Sequence, residues 1–144
     1  MAKTEARIKL KAERASLEVA MDFVREFARA CGLEEEQLLK LELVVEELVL
    51  NVIDYAYQGG EGELEIRCKC RDKTVEVEII DWGVAFNPLE ASAPDLDGPI
   101  EGRDPGGLGI FLSRTMAGQL SYRRENQANI TTIVSGGQPA GEGS

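Results

Sequence analysis

The chain has 144 residues and a formal net charge of −10, with 43% hydrophobic and 29% charged residues. That is the composition of an ordinary water-soluble folding unit, one domain in size and able to bury a core. No apolar run reaches the roughly 20 residues that span a bilayer. The acidic balance excludes nucleic acid and anionic membrane as natural partners, because their phosphates demand a basic surface.

Met1 to Glu5 lack the apolar stretch of a signal peptide, so the cytoplasm is the expected location. Residues 6 to 11 alternate apolar and charged and predict a short first strand. Leu17, Ala20, Met21, Val24, Phe27, Ala28 and Cys31 follow at helical spacing, and Gly32 stops that helix. A second helix is expected from about Glu34, where Glu34, Glu35 and Glu36 suit a helix N-terminus electrostatically. It should run to about Tyr57 and end at Gly59-Gly60.

Two strands are expected over 63–71 and 74–81, joined by a hairpin turn at Arg71-Asp72-Lys73. Leu64, Ile66, Cys68 and Cys70 share one face of the first, and Val75, Val77 and Ile79 one face of the second. This predicts an antiparallel arrangement with one face covered and one in water. Residues 87–107 hold four of the five prolines, at 88, 94, 99 and 105, and read as a long functional loop. A helix over about 108–117 and strands near 119–124 and 130–135, with a turn around Asn126, complete the expected domain of residues 1–135. Residues 136–144 read as a disordered tail.

The three cysteines, Cys31, Cys68 and Cys70, read as buried thiols in a reducing compartment. With no histidine and no fourth cysteine, a soft four-ligand metal site cannot be completed. The missing histidine also excludes Ser-His-Asp and Cys-His catalysis and a phosphorylated histidine on this chain.

Three short patterns carry the chemistry. Glu47 and Asn51 lie four apart, so they project from one face of the second helix, with Val44 and Tyr55 continuing the stripe. Glu46 lines up instead with Glu42 on an acidic, wet edge. A Glu/Asn pair is common on helix surfaces. Its functional alternative is an Asn oxygen on Mg²⁺, a hard oxygen-seeking ion, with a carboxylate one turn away to take a proton from a nucleophile attacking phosphate. Asp81 has the parity of Val75, Val77 and Ile79, so an apolar strand face ends in a carboxylate. That group can end a strand before a Gly turn, or accept a hydrogen bond from the adenine amine with Gly83 letting the backbone approach the base. Gly106-Gly107-Leu108-Gly109 opens a helix and either turns the chain or exposes amides to phosphate. It is neither a Walker A loop nor a Rossmann turn.

In combination these patterns resemble the GHKL (Bergerat-fold) ATPases. Glu47 to Asn51 matches the N box, Asp81 to Gly83 the G1 box, and Gly106 to Gly109 the G2 box. Leu41 to Asn51, Asp81-x-Gly83-x-x-Phe86-x-Pro88 and Gly106 to Leu112 are similar to the stand-alone anti-sigma-factor serine/threonine kinases. The resemblance covers about residues 6–135. It implies an α/β two-layer sandwich, a mixed and largely antiparallel sheet with helices on one face.

It further implies Glu47 as catalytic base, Asn51 as Mg²⁺ ligand and Asp81 as reader of the adenine amine, with Gly83 and Phe86 at the nucleotide. Gly106, Gly107 and Gly109 would line the phosphates under a mobile lid over about 87–106, and Thr131 would assist Asp81 through a water. The implied function is an ATP-dependent protein kinase that phosphorylates a small antagonist protein and holds a sigma factor, with a homodimer implied by relatives. Two alternatives are a non-catalytic ATP/ADP-sensing module and a subunit that phosphorylates histidine on a separate protein. Ala85, Asp54-Tyr55-Ala56-Tyr57, Pro105 and Gly118-Gln119 depart from the family pattern, with Arg103 near an arginine position that Pro105 occupies.

Overall fold

The computed structural model describes residues 4–58, 60–85 and 119–136. The first strand, β1 (Glu5–Lys11), leads through a single 3-10 turn at Arg14–Ser16 into helix α1 (Leu17–Cys31). Ala20, Val24, Phe27 and Ala28 recur at the 3, 4 and 7 spacing that places them on one buried face of α1. Gly32 ends the helix at φ 94°. Its N–H and that of Leu33 reach back to Arg29 and Ala28 at 3.0 and 3.1 Å, closing the reciprocal C-terminal cap that only a left-handed residue permits.

Helix α2 (Glu35–Asn51) then buries Leu38, Leu41, Val45, Leu48 and Val49, and runs without a break into a π turn over Val52–Ala56. Arg25 of α1 joins Glu42 of α2 at 2.8 Å. Glu42 is therefore part of the helix–helix seam and not of a wet acidic edge, whereas Glu46 is exposed as expected. The long Arg25 side chain reaches across the groove and shelters the carboxylate.

Strands β2 (Glu63–Arg71), β3 (Thr74–Asp81), β4 (Gln119–Glu125) and β5 (Ala128–Gly136) complete a five-stranded sheet in the order β1-β2-β3-β5-β4. Both hairpins turn on two residues with positive φ, Asp72 and Lys73 in one and Asn126 and Gln127 in the other. This is what two-residue turns between twisted strands require. All four described pairings are antiparallel, in line with the largely antiparallel sheet expected. β3 and β4 do run the same way, but β5 lies between them, so the crossover produces no parallel ladder. β5 extends through Gly136, the first residue of the expected tail; residues 137–144 lie outside the described residues.

The helices cover one face. Val24, Leu38, Leu41, Val45, Leu64, Ile66, Ile79 and Ile133 make the continuous core between the layers. The other face is less wet than the alternation predicts. Glu65 and Glu78 are buried there beneath Arg67 and Arg123, at 2.6 and 3.4 Å, and Ile80, Ala128 and Ile130 form a small apolar cluster. Long arginine stems over central strands remove these carboxylates from bulk water while keeping them paired.

The thiol reading changes as well. Cys31 and Cys70 form a disulfide, with Cα atoms 5.8 Å apart, and only Cys68 is a free thiol. Cys31 is the last residue of α1 and Cys70 lies on the covered face of β2, so the helix end meets the strand at bonding distance. Burial pushes the Cys68 thiol up to about 12.

Candidate functional site

A pocket opens between the C-terminal end of α2 and the adjacent end of the sheet. Leu48, Val52, Ala56 and Ile79 supply its apolar wall. Asn51, Asp81, Asn129 and Thr131 supply the polar one. Strand parity explains why: Asp81 ends the covered face of β3, and the register pairs Asp81 with Asn129 and Ile79 with Thr131. An apolar slot with a few converging polar groups is the usual form of a small-molecule site.

Asp81 is 6% exposed. Its Oδ1 accepts hydrogen bonds from the Gly83 N–H and from Asn129 Nδ2, both at 2.9 Å. Among the described residues no donor bonds Oδ2, which keeps its lone pairs for another N–H. Burial raises the Asp81 carboxyl above its ordinary range, while the hydrogen bonds from Asn129 and Gly83 and the charge of Arg124 pull the other way.

Asn51 is 6% exposed, and its Nδ2 is buried without a hydrogen-bond partner among the described residues. Leaving a buried amide unpaired costs about 1–3 kcal/mol, which a ligand in the pocket would relieve. The amide can turn over to present its oxygen, since O and N exchange places by rotation. A neutral oxygen at the pocket wall, with the half-buried Glu47 carboxylate one helical turn away, fits a hard cation escorted by phosphates. Among the described residues no three acidic or cysteine side chains gather into a metal cluster. Phosphate oxygens and waters would complete such an ion's shell.

Asn51, Asp81 and Thr131 thus meet at one pocket, and Glu47 stands just outside its lining. Gly83 packs closely on the protein itself. A Cβ there would lie 2.1 Å from the Ala56 carbonyl oxygen, and the next residue, Val84, donates its N–H to that same oxygen at 2.9 Å. The glycine lets the loop after β3 lie against the π turn of α2. Phe86, Gly106, Gly107 and Gly109, the lid over 87–106 and the helix over 108–117 lie outside the described residues.

Two residues escaped the sequence reading. Asn129 contacts Asp81 directly. Its signal was an asparagine of Thr131 and Ile133 parity at the start of a strand. Tyr57 is the other: its hydroxyl donates to the Glu63 carbonyl at 2.5 Å and accepts the Trp82 N–H at 2.9 Å. It ties the end of the π turn to both β2 and the loop after Asp81.

A family model described as the histidine kinase-like ATPase domain matches residues 10–135. The chain is similar to the serine/threonine-protein kinase BtrW of Bordetella bronchiseptica, 29% identical over 100 residues, or 69% of this chain and 70% of that protein. It is also similar to the serine-protein kinase RsbW of Bacillus mycoides, 27% identical over 107 residues, or 72% of this chain and 67% of that protein. The fold is shared with the crystal structure of the RsbU and RsbW domains of Rv1364c from Mycobacterium tuberculosis, at a TM-score of 0.63 and 14% identity. That match covers 94% of this chain but spans only 34% of the larger polypeptide.

Proposed function

The chain belongs to the histidine kinase-like ATPase domain family, and from that premise we propose that it is an ATP-dependent protein serine/threonine kinase of the anti-sigma-factor type. Its substrate would be a small antagonist protein, and it would also bind and hold a sigma factor, working in the cytoplasm. In that reducing compartment the Cys31–Cys70 bond would be opposed by the thiol pool.

The convergence of Asn51, Asp81 and Thr131 on one pocket carries this reading. Residues 30 apart and more in sequence have no reason to meet in a buried polar cluster unless something polar binds there. The names of the kinases to which the chain is similar add the reaction class.

Each side chain then has a task. Asp81 Oδ2 accepts the adenine amine while apolar Val52, Ala56 and Ile79 cover the ring. Asn51 offers an oxygen to Mg²⁺, whose part is to neutralise phosphate charge. Glu47 takes the proton of the substrate hydroxyl as its oxygen forms a bond to the γ-phosphorus and the bond to the ADP oxygen breaks. Gly106, Gly107 and Gly109 would offer backbone amides to the phosphates.

The test is transfer of label from γ-labelled ATP to a purified small antagonist protein. An acid-stable phosphoprotein is the expected product. An acid-labile one would indicate a phosphohistidine instead, and absence of transfer with ATP bound would leave a nucleotide-sensing module.

A further inference from the structure

We propose that Asn129, held by Tyr122 and Arg124, is the positioning residue that aims the Asp81 carboxylate and so sets which purine the pocket accepts. This rests on the reading of the pocket as a nucleotide site. The observation behind it is a hydrogen-bond network that joins the β4–β5 hairpin to the end of β3.

Asn129 is 3% exposed. Its amide nitrogen donates to Asp81 Oδ1 at 2.9 Å and to the Val84 carbonyl at 2.7 Å. Its amide oxygen accepts from the Tyr122 hydroxyl at 2.5 Å and from an Arg124 guanidinium nitrogen at 2.9 Å. This pattern favours a single orientation of the amide, since turning it over would break the bonds to Asp81, Val84 and Arg124. Arg124 also reaches the Gly83 carbonyl at 3.3 Å. One edge hairpin therefore grips Asp81, Gly83 and Val84 together.

The consequence falls on Asp81. With Oδ1 held by the Asn129 amide and the Gly83 N–H, the carboxylate cannot rotate to offer that oxygen to the pocket, and Oδ2 is the acceptor that remains. A 6-amino purine presents an N–H to that oxygen. A 6-oxo purine presents a carbonyl, and two lone pairs face each other. A fixed acceptor discriminates between them strongly, whereas a carboxylate free to turn away discriminates weakly. The effect separates a positioning role from a merely structural one: general loosening would weaken both purines alike.

The experiment measures dissociation constants of ATP and inosine triphosphate for the full chain, for Asn129→Ala and for Tyr122→Phe. Wild type should prefer ATP. In Asn129→Ala that preference should fall about tenfold, the scale of one charged hydrogen bond, through weaker ATP binding with inosine triphosphate unchanged. Tyr122→Phe, which removes only a hydroxyl, should move the preference the same way by less, and it decides the matter if Asn129→Ala does not fold. An undiminished preference in the folded variants, or an equal loss for both nucleotides, would overturn the proposal and leave the nucleotide site standing. Wild type that binds both equally would also overturn it. Wild type that binds neither would overturn the nucleotide-site reading, and this proposal with it.

Discussion

The two ends of the helix-on-sheet layer are built to opposite rules. At one end α1 finishes in a reciprocal cap at Gly32, Cys31 is bonded to Cys70, and Leu33 packs so closely on Gly136 that a Cβ there would meet its methyl at 2.4 Å. At the other end α2 widens into a π turn, and Asn51, Asp81, Asn129 and Thr131 are buried beside a cavity. The closed end gathers contacts that stabilise the chain by itself. The open end holds groups that cost stability until something binds. Buried polar side chains converging on one cavity are the signature of a site, because a fold under no functional demand would fill that space with hydrocarbon.

Mutations at the two ends should therefore separate cleanly. The largest effect belongs to Glu47→Ala, which should retain ATP binding and lose phosphoryl transfer by about 10²–10⁴-fold, read in a single-turnover assay. Wild-type turnover would remove Glu47 from the mechanism. At the closed end, Cys31→Ser should cost about 4 kcal/mol relative to the oxidised protein, the loop-closure value for a bridge between residues 39 apart. Denaturant unfolding with and without reductant measures it. ATP affinity should not change, and a large change there would show that the two ends are coupled.

Asp81→Asn should weaken adenine binding by about 1–3 kcal/mol in a titration, because the amide replaces a charged acceptor with a group that also donates. Asn51→Leu should act with opposite signs on fold and function. Removing a buried amide nitrogen that lacks a partner among the described residues should stabilise the ligand-free protein by about 1 kcal/mol while abolishing the Mg²⁺ dependence of binding. A destabilised ligand-free variant would mean that the Asn51 amide is already satisfied.

The smallest effect is one of pH. Burial raises the Asp81 carboxyl, and base recognition needs its ionised form. The ratio of wild-type to Asp81→Asn affinity for ADP should therefore be full near neutrality and fall on acidification. The fall should begin above the range of an ordinary aspartate. For the ligand-free fold the sign reverses. The Asp81 contribution to stability is full below its unfolded pKa and is lost as pH rises through the raised folded value.

Local patterns made most of the frame legible. The alternation in 63–71 and 74–81, the helical spacing through 17–31 and the stop at Gly32 each state a period or a special φ that neighbouring residues enforce. The parity of Asp81 likewise placed its carboxylate on the covered face before any tertiary contact was known. What the sequence withheld was nonlocal. Asn129 meets Asp81 because β3 pairs with β5, and no turn signal says that β5 inserts itself between β3 and β4. Thr131, two residues along the same face, was named from the family resemblance and not from the pairing. The Cys31–Cys70 bond needed the end of α1 to be placed over β2, and the burial of Glu65 and Glu78 needed arginines from neighbouring positions to fold across them. The close packing of Gly83 on the Ala56 carbonyl was also out of reach, because it is set by the π turn.

The central claim is that the pocket between α2 and the sheet holds a nucleotide, and thermal unfolding tests it most directly. Midpoints would be compared with and without Mg²⁺-ATP for wild type and for Asp81→Asn, since a ligand that binds only the folded state must raise the midpoint at saturation. The account predicts a rise in the wild type that shrinks in the variant. No rise at millimolar ATP, or an equal rise in both, would contradict it.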